Sequence, residues 1–211
     1  LASDSAISVT DCFDVIKGWH NNKPIDPATG YKRPTIVNMS WGYGGYSYNV
    51  TNVVYRGASV SSGWSGLGRS TSHGIVGQYR NSTYGYRVVD RRISVDTDVQ
   101  EMIDAGIHVC VAAGNYYQKI DVPSGTDYNN YFVSSTYGTK YYNRGSSPFD
   151  DEALIVGNVD STVHSGGLEQ KASSSENGPG VDIYAPGTNV MSACSTRLLY
   201  TSPSPRDLST S

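Results

Sequence analysis

The chain has 211 residues, enough for one α/β domain with a buried core and short for two. Sixteen lysines and arginines against 19 acidic residues leave a net charge of -3. That leaves no cationic excess to neutralise phosphates and argues against nucleic acid as a partner. No run of about 18 uncharged apolar residues predicts a membrane span, so no membrane partner is expected. Glycine (23) and tyrosine (17) outweigh what a helical bundle would use, and only 17% of residues are charged, which predicts long, aromatic-rich surface loops. Cys12, Cys110 and Cys194 are odd in number and far apart, matching neither a zinc-ligand pattern nor a dense disulfide framework. Leu1-Ala2-Ser3-Asp4 lacks the basic flank and apolar core of a secretory leader, and the chain is expected to begin within a longer protein.

Ile7, Cys12, Val15, Ile16 and Trp19 recur at helical spacing, predicting a helix over residues 9–21 with Thr10 or Asp11 as cap and Asn21-Asn22 plus Pro24 as stop. A turn-rich linker covers 24–34. Residues 35–40, Thr-Ile-Val-Asn-Met-Ser, then predict a strand of a parallel sheet covered on both faces, ending at Gly42. Residues 43–92 are dominated by Gly, Ser, Tyr, Asn and Arg, with brief β-rich pieces at Val53-Val54-Tyr55 and Tyr86-Arg87-Val88-Val89. Such a stretch is either a functional loop insertion or a small β-hairpin subdomain. Val95, Val99, Met102 and Ile103 predict a second helix, with Ser94 or Asp96 as cap and Gly106 as its left-handed stop. Residues 107–112 follow at once as a buried strand, the return half of a βαβ unit. A second Tyr- and Asn-rich insertion spans 116–148, followed by strands at 153–159 and 181–187.

Small residues at the end of a parallel strand let a ligand approach the backbone closely, because open parallel sheets bind ligands outside their carboxyl ends. Ala112-Ala113-Gly114-Asn115 has that character, with an amide at its tip, although alone it reads more readily as a tight turn after a strand. Its company is what distinguishes it. Val37-Asn38-Met39-Ser40-Trp41-Gly42, then the 107–115 segment, then Ala153-Leu154-Ile155-Val156-Gly157-Asn158-Val159-Asp160, then Ala172-Ser173-Ser174-Ser175-Glu176-Asn177-Gly178 running on to Ala185-Pro186-Gly187 resembles, in order, the central portion of a subtilisin-like serine protease. The resemblance covers residues 9–193, interrupted by the two insertions.

That resemblance implies a three-layer α/β/α fold with a mainly parallel sheet, truncated at both ends, and an endopeptidase with a Ser-His-Asp triad acting on peptide or protein substrates. It implies that Asn115 is the oxyanion-hole side chain. Ser40, Trp41 and Gly42 would pair with an extended substrate and form one wall of the specificity pocket, with Ala113 and Gly114 as the other wall. Trp41 stands where the family often has a smaller aliphatic residue.

Other family motifs are missing. The catalytic Asp and the His-Gly-Thr-His-type motif should precede residue 37, and neither is there. His20 reads as a solvated polar residue, His73 as part of an insertion loop, His108 as a packed neutral imidazole in a strand, and His164 as part of a polar turn. The Gly-Thr-Ser-Met-Ala-type serine motif does not follow residue 190. Residues 198–211 instead resemble a translated transposase-type sequencing adapter, so the natural chain is expected to end near Thr196 or Arg197. The organisation is therefore a partial catalytic domain over 1–197 and a non-native tail over 198–211. Such a piece supplies the oxyanion donor and pocket walls without turnover of its own. The alternative is a non-catalytic binding or particle-surface module displaying its Tyr-rich loops. Some members of the family bind structural calcium, but Asp121, Asp127, Asp150 and Asp151 form no Asp-x-Asp-x-Asp-Gly run and read as solvated loop acids, so no metal or cofactor is assigned. The compartment is expected to be extracellular or virion-associated.

Overall fold

A computed structural model describes residues 8–43, 45–48, 50–60, 80–81, 85–89, 91–148, 152–160, 166–188, 190–192 and 200–201. In chain order these form α1 (Val9–Asn21), β1 (Ile36–Met39), β2 (Gly45–Tyr48), β3 (Val50–Tyr55), β4 (Ala58–Val60), β5 (Arg80–Asn81), β6 (Gly85–Val89) and α2 (Ile93–Asp104). There follow β7 (His108–Ala112), β8 (Tyr131–Ser134), β9 (Gly138–Tyr141), β10 (Leu154–Asp160), β11 (Gln170–Lys171), β12 (Ile183–Pro186), β13 (Met191–Ser192) and β14 (Tyr200–Thr201). His73, His164, Cys194, Asp150, Asp151 and most of 198–211 lie outside the described residues. No helix among the described residues is long and apolar enough to cross a membrane.

α1 has the predicted bounds but a different cap and a different buried face. Ser8 caps it: the Ser8 hydroxyl accepts from the Asp11 N–H (3.1 Å) and the Asp11 carboxylate accepts from the Ser8 N–H (2.9 Å). Asp11 thus closes a capping box from the third helical position, while Thr10 is not the cap. The buried residues are Phe13 and His20, with Ile16 packed against the core. Val15 and Trp19, expected inside, are 69% and 61% exposed. Trp19 instead lies beneath the Lys23 ammonium, 4.1 Å from the ring centroid, which suits an aromatic at a wet surface. The expectation for His20 is also corrected. It is buried, and its Nδ1 shares a 2.7 Å hydrogen bond with the Thr35 hydroxyl just before β1. A satisfied imidazole can be buried without stranding a polar group. Burial, with the nearby Lys23 and Lys32 charges, holds its pKa below the ordinary 6.5.

β1, β7, β10 and β12 run parallel, β7 lying between β1 and β10 with Ile36 opposite His108 and Cys110 opposite Leu154. α1 and α2 pack on one face of this sheet. Phe13, Val95, Val99 and Met102 meet Met39, Val109 and Val111 in one core. Each such side chain contributes about 1.5–3 kcal/mol when fully buried. α2 buries Val95, Val99 and Met102 as its periodicity predicts. Its cap, however, is Arg92, with no side-chain bond, because Asp96 is committed to Tyr43 and Arg91. Gly106 at φ +86° makes the left-handed exit into β7. On the opposite sheet face Ile36, Leu154 and Ile183 are 70%, 42% and 51% exposed. His108 shares that face and is exposed, correcting its reading as a packed imidazole; among the described residues both helices lie on the other side.

Of the stretch read as either a loop insertion or a small β-hairpin subdomain, the described residues form the strands β2 to β6. β3 and β4 form a hairpin through Arg56-Gly57, whose φ values of +49° and +80° are those of a two-residue type I′ turn. β3 then pairs with β8 of the second insertion, giving the order β4-β3-β8-β9, so the two insertions share one sheet. Beneath it lies a buried polar knot. Asp127 accepts from Arg56 Nε (2.6 Å) and Lys119 Nζ (2.6 Å), and Asn130, fully buried, accepts from the Arg56 N–H and donates to Asp127 and Asn143. The Asp121 carboxylate accepts from the Asp127 N–H at 2.7 Å. Asp121 and Asp127 are therefore buried structural acids rather than solvated ones, the correction arising because the β3 hairpin brings Arg56 to them. Two cations already face these carboxylates, a setting that does not suit calcium.

The Arg56 guanidinium, aided by Lys119 and Asn130 and opposed by burial, holds the Asp127 carboxyl well below the usual carboxylate range. A depressed acid stabilises the fold above its unfolded pKa of about 3.9 and loses that contribution as pH falls. Asp127→Asn is expected to lower stability at pH 7 by roughly 2–4 kcal/mol, as for a broken and largely buried pair, and to flatten the decline of melting temperature below pH 4. An unchanged melting profile would contradict this. His20 predicts a separate step. Its folded pKa is lowered, so the unfolded chain binds the proton more readily and stability falls as pH drops through 6.5. Thermal melts of His20→Gln should lack that step.

Candidate active site

Because β1, β7, β10 and β12 are parallel, the segments leaving their carboxyl ends converge. Ser40 follows β1, Ala113-Gly114-Asn115 follow β7, Asn158 sits late in β10, and Gly187 follows β12. Together with Asn38, Cys110 and Ser175 they line a cavity of about 240 Å³. This is the crevice position where open parallel sheets bind ligands. Its polar groups are held by main-chain and side-chain bonds: Asn158 N–H donates to Ser175 Oγ (2.9 Å), Asn158 Nδ2 to Thr188 Oγ1 (3.1 Å), and Asn38 Nδ2 to Ser40 Oγ (3.2 Å). A Cβ at Gly187 would lie 2.8 Å from Asn158 Oδ1, so a side chain there would have to displace that amide.

Ala113 is buried and its N–H donates to Val156 O (2.8 Å), which ties the start of this wall to β10. Gly114 has φ +116°, a conformation that glycine alone adopts readily. The Ser40-Trp41-Gly42 segment, of which Ser40 lines the cavity, is anchored one residue later. Tyr43 buries its ring in the helix-facing core, donates its hydroxyl to Asp96 Oδ1 (2.9 Å), and donates its N–H to Ser146 O (2.6 Å). Burial pushes the Tyr43 phenol pKa far above its ordinary value. Ser147 Oγ donates to Ala112 O, so 146–147 is fastened to both walls.

Of the residues singled out from sequence, Ser40, Ala113, Gly114 and Asn115 meet around the cavity. Asn115 is half-buried at its edge. Gly42 lies against the Ser146 main chain, and Trp41, 38% exposed, packs edge-on to Tyr43 at 6.2 Å. Neither His20 nor His108 lines the cavity. Sequence reasoning did not single out Ser146, Glu176, Ser175 or Asn158. Ser146 belongs to the end of an insertion and carries no local signal. Glu176 is the one acid in the run Ser173-Ser174-Ser175-Glu176-Asn177-Gly178, and that isolation was its only signal. Among the described residues no group of three or more His, Cys, Asp or Glu is placed to hold a metal ion.

The model of the subtilase family matches residues 17–210. Over 100 residues the chain is 35% identical to Subtilisin-like protease 1 of Pseudogymnoascus destructans, an alignment covering 47% of this chain and 18% of that protein. Among solved structures it is similar, at 16% identity and a TM-score of 0.40, to a cold adapted subtilisin-like serine proteinase, covering 91% of this chain and 40% of that one. The chain thus spans well under half the length of these relatives.

A Cβ at Gly114 would lie 2.4 Å from Ser146 Oγ and 2.6 Å from Glu176 Oε1, in addition to the backbone strain. Gly114→Ala is therefore expected to cost roughly 2–4 kcal/mol in thermal or urea denaturation. Gly138→Ala, at φ +69° but with nothing within 4 Å, should cost only about 1 kcal/mol. Equal losses in the two variants would show that strain, not the close approach across the cleft, sets the cost at Gly114.

Proposed function

Because the chain belongs to the subtilase family, we propose that it is the oxyanion and pocket portion of a serine endopeptidase, with Asn115 as the oxyanion donor. One observation supports this most: Ala113-Gly114-Asn115 leaves the carboxyl end of β7 with Asn115 at the edge of the cavity, across from Ser40 at the end of β1. An extended peptide laid against 40–42 would gain main-chain hydrogen bonds whatever its sequence, and one of its side chains would enter between the walls. The scissile carbonyl would then face the cavity, where the Asn115 amide can donate to the oxyanion that forms when a serine attacks. Such a donor acts in the transition state more than in the ground state, so its effect falls on kcat. The nucleophile and its His-Asp partners would come from the rest of the parent enzyme.

Asn115→Ala in the intact parent is expected to lower kcat by about 10²–10³ with KM little changed. The 211-residue chain alone is expected to leave chromogenic peptides uncut. Cleavage by the chain, abolished by a serine-directed covalent inhibitor, would overturn the second expectation; unchanged kcat in the variant would overturn the role of Asn115.

A further inference from the structure

The 116–148 insertion is rich in tyrosine, and the catalytic reading gives those tyrosines no part. Its hairpin alternates as a pleated sheet requires. Phe132 and Tyr142 are buried and stack on one another at 4.7 Å, while Tyr131 and Tyr141, paired across β8 and β9, take the opposite face and meet edge-on at 5.8 Å. Arg144 folds back over Tyr141. Its Cζ lies 3.4 Å from the Tyr141 ring centroid and 4.4 Å from that of Tyr128, its Nε donates to Tyr128 O (3.2 Å), and its Nη2 donates to Oδ1 of the exposed Asn129 (2.8 Å). Nη1 takes no acceptor, and no carboxylate pairs with this guanidinium, among the described residues. Arg144 is only half-buried and Tyr141 is exposed, so the cluster stands at the surface.

We infer that Arg144, with Tyr128, Tyr131 and Tyr141 around it, is a carboxylate-binding site for an acidic polypeptide segment. A guanidinium lying over two rings has its faces taken, which leaves its in-plane N–H edge as the direction open to a partner. That edge matches the planar fork of a carboxylate, and a charge-assisted bond formed there is stronger than a neutral one. Stacking and two hydrogen bonds already hold the side chain in place, so little conformational freedom is lost when an anion arrives. An acidic sugar fits less well. A sugar ring stacks on an open aromatic face, whereas Arg144 covers one face of Tyr141 and Tyr131 packs against the same ring edge-on. Tyrosine hydroxyls and the Asn129 amide set around a cation instead have the make-up of surfaces that grip protein. The chain as a whole carries a net charge of -3, so attraction of a polyanion has to come from a local site rather than from the overall charge.

The test uses the whole chain. Hexaglutamate, its neutral counterpart hexaglutamine, and trigalacturonate as an acidic sugar are titrated in low-salt buffer into the wild type, Arg144→Gln, Arg144→Lys and Arg33→Gln, followed by calorimetry. Hexaglutamate should bind the wild type about tenfold more tightly than hexaglutamine, and more tightly than trigalacturonate. Arg144→Gln should remove that preference. Arg144→Lys, which keeps the charge and loses the planar fork, should weaken hexaglutamate by about threefold, and Arg33→Gln, which removes an exposed cation of the 24–34 linker, should leave it unchanged. Equal affinity of the wild type for the two peptides, binding of neither, tighter binding of trigalacturonate, or a loss in Arg33→Gln as large as in Arg144→Lys would overturn the assignment. Arg144→Lys decides the matter if Arg144→Gln fails to fold. None of these outcomes bears on Asn115, whose role is read from kcat in the parent enzyme.

Discussion

The parallel seam that sets β7 between β1 and β10 is the constraint on which the rest of the molecule depends. Parallel pairing aims every carboxyl end the same way, so whatever leaves β1, β7, β10 and β12 leaves at one edge of the sheet. The cavity and its two walls follow from this. So does the pairing of the insertions: one departs after β1 and the other after β7, neighbouring strands, and their chains emerge side by side close enough for β3 to pair with β8. The return path, α2 and Gly106, then lies on the far side of the sheet with α1, leaving the cavity edge clear of helices among the described residues.

Two kinds of packing hold this arrangement. Beneath the helices the core is apolar and orthodox, Met39, Val109 and Val111 against Phe13, Val99 and Met102. Around the cavity and under the insertion sheet it is polar, and there specificity of geometry comes from satisfied hydrogen bonds. Asn130, Asn143, Asp121 and Asp127 form one network, while Ser146 and Glu176 tie the walls together. Buried networks of this sort are demanding because each member left without its partner carries a desolvation cost, and they are correspondingly rigid when complete.

The elements with strong periodicity were readable in advance. α2, β7 and the 153–159 strand carry runs of Val, Ile and Met whose spacing leaves little choice, and the Gly106 turn follows from the junction of helix and strand. α1 was legible in extent but not in orientation, because Val15 and Trp19 offered an equally apolar stripe. The stripe of Phe13, Ile16 and His20 prevailed, helped by Thr35, which satisfies the imidazole. The roles of Asp121, Asp127 and Asn130 were not legible, since their partner Arg56 lies some seventy positions away and reaches them only through the β3–β8 pairing.

The sequence by itself pointed to the family, through four short motifs in order, and singled out Ser40, Ala113, Gly114 and Asn115, which the fold brings together around one cavity. Tertiary structure alone decided which side chains pack behind Gly42 and Gly114. Ser146 comes from the end of an insertion and Glu176 from the segment before β12, 30 residues apart, and neither carries a pattern that announces the other. Their meeting is a consequence of strand order: only when β7, β10 and β12 are laid in parallel do the chain segments beside their ends come together.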